Sequence, residues 1–540
     1  MSILIGLSAI ADKIKLPYPI LLVFTGLVIG FVPALPDLAL NPEVVFLIFL
    51  PPLLYDAASH TSWHDFRTAI RPISTLAITL VFFTTTSVAI AAHYYIPGFN
   101  WPLSFVLGAI VSPPDAVAAT SITKGLGLNK RVITILEGES LVNDASALIA
   151  YRYAVAAVAS GSFVLWVAGL QFLLVAAGGI IAGIAVGFLF VFAHKKIHNN
   201  AIVETSLTLL APFLCYLIAE RFHTSGVLAV VTAGLLISWR APEVFTSQTR
   251  LQTRAVWDTL IFLLNGIIFI LIGLQLPGII KALKGYSLLE LMGYGLIISV
   301  VTIFIRIIWV FAGAYHQKLF RRKASTLLVN EDGPPTETPW KNVLIVAWTG
   351  TRGVVSLATA LALPLTMHDG TSFPQRNIIL FLAFFVIFVT LVVQGLSLPL
   401  LIRLLHVKKQ DDSGVEEREL QMLMAKRVID FLENNFPVTL EEKLAKQVKK
   451  RFETMISQAT KQIDIYQQNS NNENASVKMP LSDLLSAQLE IAKFQRGLLL
   501  TFHKEGSFSD EIIRKMEQQL DIEDIRLNAL VERETMEPAE

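Results

Sequence analysis

Ser112-Pro113-Pro114-Asp115-Ala116-Val117-Ala118-Ala119-Thr120, then a short basic turn (Lys124, Lys130, Arg131), then Ile135-Leu136-Glu137-Gly138-Glu139-Ser140-Leu141-Val142-Asn143-Asp144-Ala145: the fold is decided by this stretch. Two prolines and four carboxylates, Asp115, Glu137, Glu139 and Asp144, lie here between apolar runs. An ionisable side chain at the centre of a bilayer costs about 3 kcal/mol or more unless it is neutralised or paired, so it marks a functional site by default. Asp144 and its neighbours therefore read as a membrane-buried carboxylate site that holds either a proton or a small cation.

The surrounding composition makes this a membrane argument. Of 540 residues, 53% are hydrophobic and only 16% charged, with a mean hydropathy of +0.57; soluble domains carry about 25% charged residues. Long apolar runs fill the chain up to Arg403, and the remainder is charged and heptad-like. A net charge of +1 argues against nucleic acid or an acidic partner. The single cysteine, Cys215, excludes an internal disulfide framework and a cysteine metal cluster. The histidines form no ligand pattern, and no nucleophile–base pair is spaced for an intramembrane enzyme. No resident cofactor is expected.

About 20 apolar residues cross a bilayer. Thirteen runs qualify, at roughly 2–12, 17–33, 42–58, 73–96, 102–123, 131–158, 163–193, 203–221, 225–240, 256–280, 288–317, 340–363 and 377–405. The first lacks a basic leader and a cleavage site, so it reads as a span rather than a signal peptide. With the N-terminus outside, the inner loops collect Lys13, Lys15, Arg67, Arg71, Lys124, Lys130, Arg131, Lys195, Lys196, Arg240, Arg250, Arg254, Lys318, Arg321, Arg322, Lys323 and Lys341. The outer loops keep only Arg221, Lys281, Lys284 and Arg376. Basic residues stay on the cytoplasmic side, which places the polar tail in the cytoplasm and the protein in the cell (inner) membrane.

Two spans are interrupted. Pro113-Pro114 removes backbone donors from the fifth, and Thr349-Gly350-Thr351-Arg352-Gly353 loosens the twelfth. With the seventh span as connector, both breaks fall fifth in a six-span half. Isolated prolines and glycines are common in membrane helices. Breaks at matching positions of two halves, each with a charge (Asp115, Arg352), instead point to a transporter's midplane site. The expected fold is all-α, with about thirteen spans in inverted six-helix repeats, two broken crossing helices and a helical cytoplasmic tail.

On the sixth span, Ser140 and Asp144 lie four apart and share a face, with Asn143 at its edge and Glu139 beside them. Carboxylate, hydroxyl and amide oxygens are hard ligands suited to an alkali cation; zinc or copper prefers imidazole and thiolate. Desolvation disfavours the charged form of a buried carboxylate, so Asp144 is expected to hold a proton until a cation arrives, and competition for one group couples the two movements. The unwound fifth span supplies free carbonyls. Asp115 and Arg352 are expected to offset the partial charges of half-helix ends. Buried Arg352 is expected to pair with Glu139, and Arg306, mid-way along the eleventh span, with Glu137. Asp56 either faces the site or is an interfacial residue at a span end, and Arg152 is expected to snorkel outward.

Four motifs carry a resemblance: Asn143-Asp144 within Glu-Gly-Glu-Ser-Leu-Val-Asn-Asp-Ala, Ser-Pro-Pro-Asp-Ala-Val-Ala (112–118), Leu-Pro-Pro-Leu-Leu-Tyr-Asp-Ala (50–57) and Gly-Thr-Arg-Gly-Val-Val-Ser-Leu-Ala (350–358). The chain resembles bacterial sodium/proton exchangers of the first monovalent cation:proton antiporter family. The resemblance implies that Asp144 carries the ion or the proton, with Ser140 as a ligand and Asp56 close to the ion. It implies a Glu139–Arg352 pair as well. Asn143 stands where electrogenic relatives carry an aspartate, which implies electroneutral one-for-one exchange of Na⁺, with K⁺ or Li⁺ as alternatives, for H⁺. Where many relatives have Thr-Asp this chain has Pro114-Asp115, so Pro114 contributes only its backbone oxygen. The family further implies a homodimer in which core spans (about 73–158 and 288–405) move as an elevator against dimerisation spans (about 1–58 and 163–280). A cation channel is the other reading, but a channel repeats a charged ring about an axis, and no such ring is visible.

The membrane domain is read as 1–406 and the tail as 407–540. In the tail, Thr439 and Glu442 form a capping box opening a helix to about Gln468. A linker follows at 469–478, with amphipathic helices at Leu481–Lys504 and Asp510–Glu532. These are expected to regulate the membrane domain or stabilise the dimer.

Overall fold

Proline, glycine and capping residues punctuate the apolar runs where helices must begin and end. The computed structural model describes Gly6, residues 18–31, 42–115, 130–161, 165–197, 200–283, 286–320, 340–367 and 370–405, and short helical pieces beyond residue 421. The return half of the fifth span, the capping box at Thr439 and the tail helix expected at 481–504 lie outside the described residues; of the first predicted span only Gly6 is described, and of the helix expected at 510–532 only residues 520, 522–523 and 526–527, which are helical. The chain divides into two units, 1–410 and 411–540. Of the second, only fragments such as 425–430 and 452–454 are described, and they are helical.

In the first unit the helices are α1 (Tyr18–Gly30), α2 (Pro42–His60), α3 (Trp63–Thr68), α4 (Ile70–Tyr95), α5 (Trp101–Val111), α6 (Lys130–Ser160), α7 (Leu165–Lys196) and α8 (Ala201–Arg221). There follow α9 (Gly226–Val244), α10 (Ser247–Ala282), α11 (Leu288–Phe320), α12 (Trp340–Trp348), α13 (Val354–Leu361) and α14 (Arg376–Leu404). Among the described residues, six helices are long and apolar enough to cross a membrane. Among the described residues the regular structure is helical, and the one β-type pairing is an isolated bridge, Thr366 to Ser372.

Several helix starts, those of α3, α5, α8, α9 and α10, carry side-chain caps, which satisfy otherwise orphaned N–H groups. Asn100 accepts from Leu103 N–H at 3.0 Å to open α5, and Ser225 and Thr246 do the same for α9 and α10. α5 stops at Val111, before Pro113-Pro114. α4 and α14 each contain a π-helical turn, at Thr75–Leu80 and Thr390–Gly395.

Among the described residues four apolar clusters organise the unit, the smallest being Ile345 of α12 with Leu398 and Ile402 of α14 and Leu405. α5 (Leu103, Val106, Ile110) packs on α14 (Ile379, Leu382, Val386) and α11 (Ile298). α2 (Leu54, Ala58), α6 (Leu141, Ala145), α8 (Ala211, Cys215) and α9 (Val230, Ala233) form the second. The third joins Ile73 of α4, Ile135 of α6, Val310 of α11 and Val346 of α12. Small residues let membrane helices approach where no hydrophobic drive exists. Accordingly, a methyl added to Gly26 of α1 would meet the Ile270 carbonyl of α10, and one on Gly273 the Val23 carbonyl.

Candidate functional site

The end of α5 and the interruption between α12 and α13 lie against each other. α5 ends at Val111 and residues 112–115 leave the helix; α12 ends at Trp348 and α13 begins at Val354. Between them the two unwound segments hydrogen-bond to each other. Asp115 N–H donates to Thr351 O at 2.7 Å, and Thr351 Oγ1 donates to Asp115 O at 3.1 Å. Backbone freed from helical bonding finds partners in the other break, as burial demands.

Charge at the crossing follows the helix ends. The buried Arg352 guanidinium donates from Nε to Val111 O at 2.8 Å, at the C-terminal end of α5, and from Nη1 to Gly350 O, just past α12. A cation is favourable at helix C-termini and an anion at N-termini. Asp115 supplies the anion: its carboxylate lies against Gly353, the N-cap of α13, where any Cβ would overlap it. Gly353→Ala is therefore expected to push the segments apart at a cost of about 1–3 kcal/mol, read as a lower thermal midpoint in detergent. An unchanged midpoint would mean that Asp115 yields freely.

The pairing of the two buried arginines differs from the sequence expectation. Arg306 of α11, not Arg352, takes Glu139: Arg306 Nη2 donates to Glu139 Oε2 at 2.9 Å and Nη1 to Oε1, a two-pronged contact with both residues 1% exposed. Arg306 Nη2 also reaches Val346 O at 3.2 Å. Glu137 lies instead on the cavity wall near His60. Arg352 is satisfied by carbonyls and by Thr390, whose hydroxyl in the π turn of α14 accepts the Arg352 N–H at 3.1 Å. Arg152 is exposed, as expected of a side chain that reaches outward, and there it pairs with Glu220 of α8 at 2.7 Å.

A cavity of about 200 Å³ opens beside the crossing. From α2 it takes Asp56 and His60, from the broken segment Pro113, Pro114 and Asp115, and from α6 Glu137, Ser140 and Asp144. Asn265 of α10 and Gly353, Val355 and Ser356 complete it. At about 30 Å³ per water, it has room for a cation with some of its hydration. Asp144 is 7% exposed. Asn143 is fully buried just behind the wall: Nδ2 donates to Pro114 O at 2.9 Å, and Oδ1 has no partner. The Pro114 oxygen, the one group that residue has to offer an ion, is thus shared with an amide. His60 Nδ1 lies 2.9 Å from the Asp56 backbone oxygen and 3.4 Å from its carboxylate.

Asp56, Pro114, Asp115, Ser140 and Asp144 therefore share one cavity, with Asn143 behind it, while Glu139, Arg306 and Arg352 brace the helices outside. Sequence reasoning missed Thr351, Thr390, Ser356 and Asn265. Asn265 carried a usable signal, being the lone hydrogen-bonding side chain in the run Leu260–Leu274 of α10. Among the described residues no group of three or more His, Cys, Asp or Glu is placed to hold a metal ion. The donors present are hard oxygens of carboxylate, hydroxyl, amide and carbonyl groups.

Known proteins match this chain in sequence and in fold. The family model described as sodium/hydrogen exchanger, transmembrane, matches residues 1–404. An Na⁺/H⁺ exchanger of Mycobacterium tuberculosis is 30% identical over 96% of this chain and 93% of its own length. The sodium, potassium, lithium and rubidium/H⁺ antiporter of Bacillus subtilis is 32% identical over 74% of this chain and 60% of its own. The solved structure of the sodium proton antiporter MjNhaP1 from Methanocaldococcus jannaschii shares the fold, with a TM-score of 0.58 at 19% identity over 75% of this chain and 97% of that one. A family match along three-quarters of its length, together with a relative 30% identical over nearly the whole chain, places this chain in the sodium/hydrogen exchanger family, as a multi-pass membrane antiporter of monovalent cations and protons.

Proposed function

We propose that the protein exchanges Na⁺ for H⁺ one for one by alternating access, with Asp144 holding either the proton or the cation. The observation that carries this reading is the single cavity in which Asp144, Asp56 and Ser140 lie beside the crossed segments. Oxygen donors there replace part of a cation's hydration, with Asn143 and Pro114 O lining up behind them. Because Asn143 is neutral, Asp144 is the only carboxylate of the Asn143-Asp144 pair. One negative charge then neutralises either one proton or one cation, and the loaded carrier has the same charge both ways.

The charges that hold the crossing have separate work. Arg352 and Asp115 offset the helix ends, and Arg306 with Glu139 fixes α11 to α6. Thirteen spans in two inverted halves form the membrane part, residues 1–406, in the inner membrane. The core spans, about 73–158 and 288–405, slide against spans 1–58 and 163–280 of a homodimer. The apolar outward face of α7, with Leu173, Leu174, Ile181 and Leu189 each more than half exposed, supports a surface for a second copy. The tail, 407–540, is helical and cytoplasmic.

In everted vesicles with an imposed pH gradient, added Na⁺ is expected to dissipate the gradient, with K⁺ and Li⁺ tested separately. The rate is expected to be the same whether valinomycin and K⁺ clamp the membrane at zero or at a large potential. A steep voltage dependence would disprove one-for-one exchange. Gradient dissipation by K⁺ alone would identify K⁺/H⁺ antiport.

A further inference from the structure

One group in the cavity has no task in the account above. Asn265 sits mid-way along α10, in a run that is otherwise apolar from Leu260 to Leu274. It is 7% exposed and lines the same cavity as Asp144, Asp56 and Ser140. Its amide has no hydrogen-bond partner among the described residues, whereas the hydroxyls of Ser356 and Thr351 donate to the Pro113 and Asp115 carbonyls. Unlike Asn143 Oδ1, which is shut away from the cavity, the Asn265 amide is open to the cavity it lines, so its partner is whatever occupies that space, water or a cation.

We propose that Asn265 supplies a cation-binding oxygen from outside the broken-helix pair, setting affinity and preference among alkali cations without taking part in the proton exchange. An amide oxygen is a hard, neutral ligand suited to Na⁺ or Li⁺, and it does not titrate. Asp144 serves both ions; Asn265 serves only one of them. The placement adds a mechanical consequence. α10 packs closely along α1 through the Gly26–Gly273 contact and carries neither unwound segment. Its oxygen therefore meets the cation while the cavity has its present orientation, and is left behind when the crossing moves away.

The inference rests on the antiport reading, and the test separates the two. Initial rates in everted vesicles are measured over a range of Na⁺, K⁺ and Li⁺ concentrations for the full chain and for Asn265→Ala and Asn265→Asp. For Asn265→Ala the apparent KM for Na⁺ is expected to rise roughly five- to tenfold, equivalent to the loss of about 1 kcal/mol. The maximal rate should stay within about twofold and the preference among the three cations should flatten. The pH dependence at saturating Na⁺ should not move. Asn265→Asp keeps an oxygen in place and is expected to bind Na⁺ at least as well as the parent. If Asn265→Ala leaves KM and preference unchanged, or lowers only the maximal rate, the residue is structural and the proposal is wrong. A parent protein that moves no protons in response to any of the cations would instead overturn the antiport reading itself.

Discussion

Asp144→Asn is expected to abolish exchange. In everted vesicles the substituted protein should leave an imposed pH gradient intact on addition of Na⁺, K⁺ or Li⁺, at expression levels equal to the parent. An asparagine is nearly the same size and keeps one oxygen, so packing around α6 is retained. What disappears is the charge that lets one group bind either ion. The loss should exceed a hundredfold, because the exchanged proton has no other carrier in the Asn143-Asp144 pair, and a shared site is what couples the two flows. Asp56 and Asp115 also line the cavity, but neither lies on α6 beside Ser140. A mutant with more than a tenth of the parent rate would move the carrier role to one of those two residues. Binding offers a second readout: Na⁺ should protect the parent against thermal unfolding and leave the mutant's midpoint where it was.

The second large effect is on stability. Glu139 and Arg306 are both 1% exposed and make a two-pronged contact. Removing one partner of such a pair leaves an uncompensated buried charge, which costs about 3–5 kcal/mol. Glu139→Gln is expected to give a much reduced yield of folded protein and a strongly lowered midpoint in detergent. Replacing both residues, as Glu139→Gln with Arg306→Met, should recover most of that loss, since an apolar substitute needs no counter-charge. Arg352→Met is expected to behave differently, because Arg352 is held by the Val111 and Gly350 carbonyls and is not part of the ion pair. It should lose transport before stability, with no rescue by Glu139→Gln. If Glu139→Gln were instead rescued by Arg352→Met, the pairing described here would be incorrect.

Much of the candidate site was legible because it depends on local chemistry. Prolines 113 and 114 remove donors, so α5 must end near Val111 wherever it sits. Two glycines around Arg352 loosen the twelfth span in the same way. A four-residue step puts Ser140 and Asp144 on one face of α6 with no knowledge of neighbours. These three features suffice to name most of the cavity wall. The arginine pairing was not legible, because it depends on the register between helices far apart in the chain. Arg306 and Glu139 are separated by 167 residues, and no local periodicity says which turn of α11 faces which turn of α6. Asn265 was missed for a similar reason. A single polar residue in an apolar run is visible, but whether it faces lipid, a neighbour or a cavity depends on helix rotation.

The amino-acid order alone determined that this chain crosses a membrane many times, where two of its helices must break, and that a carboxylate, a hydroxyl and an amide lie together on one span. Those follow from the cost of polar groups in hydrocarbon and from backbone geometry, which act over a few residues. Only the tertiary structure decided that the two breaks hydrogen-bond to each other, that carbonyls satisfy Arg352 while Glu139 takes Arg306, and that α10 brings an amide to the cavity. Each of those depends on how helices rotate and slide against one another. That is settled by contacts such as that of Gly26 on Gly273, between residues that say nothing about each other until the chain has folded.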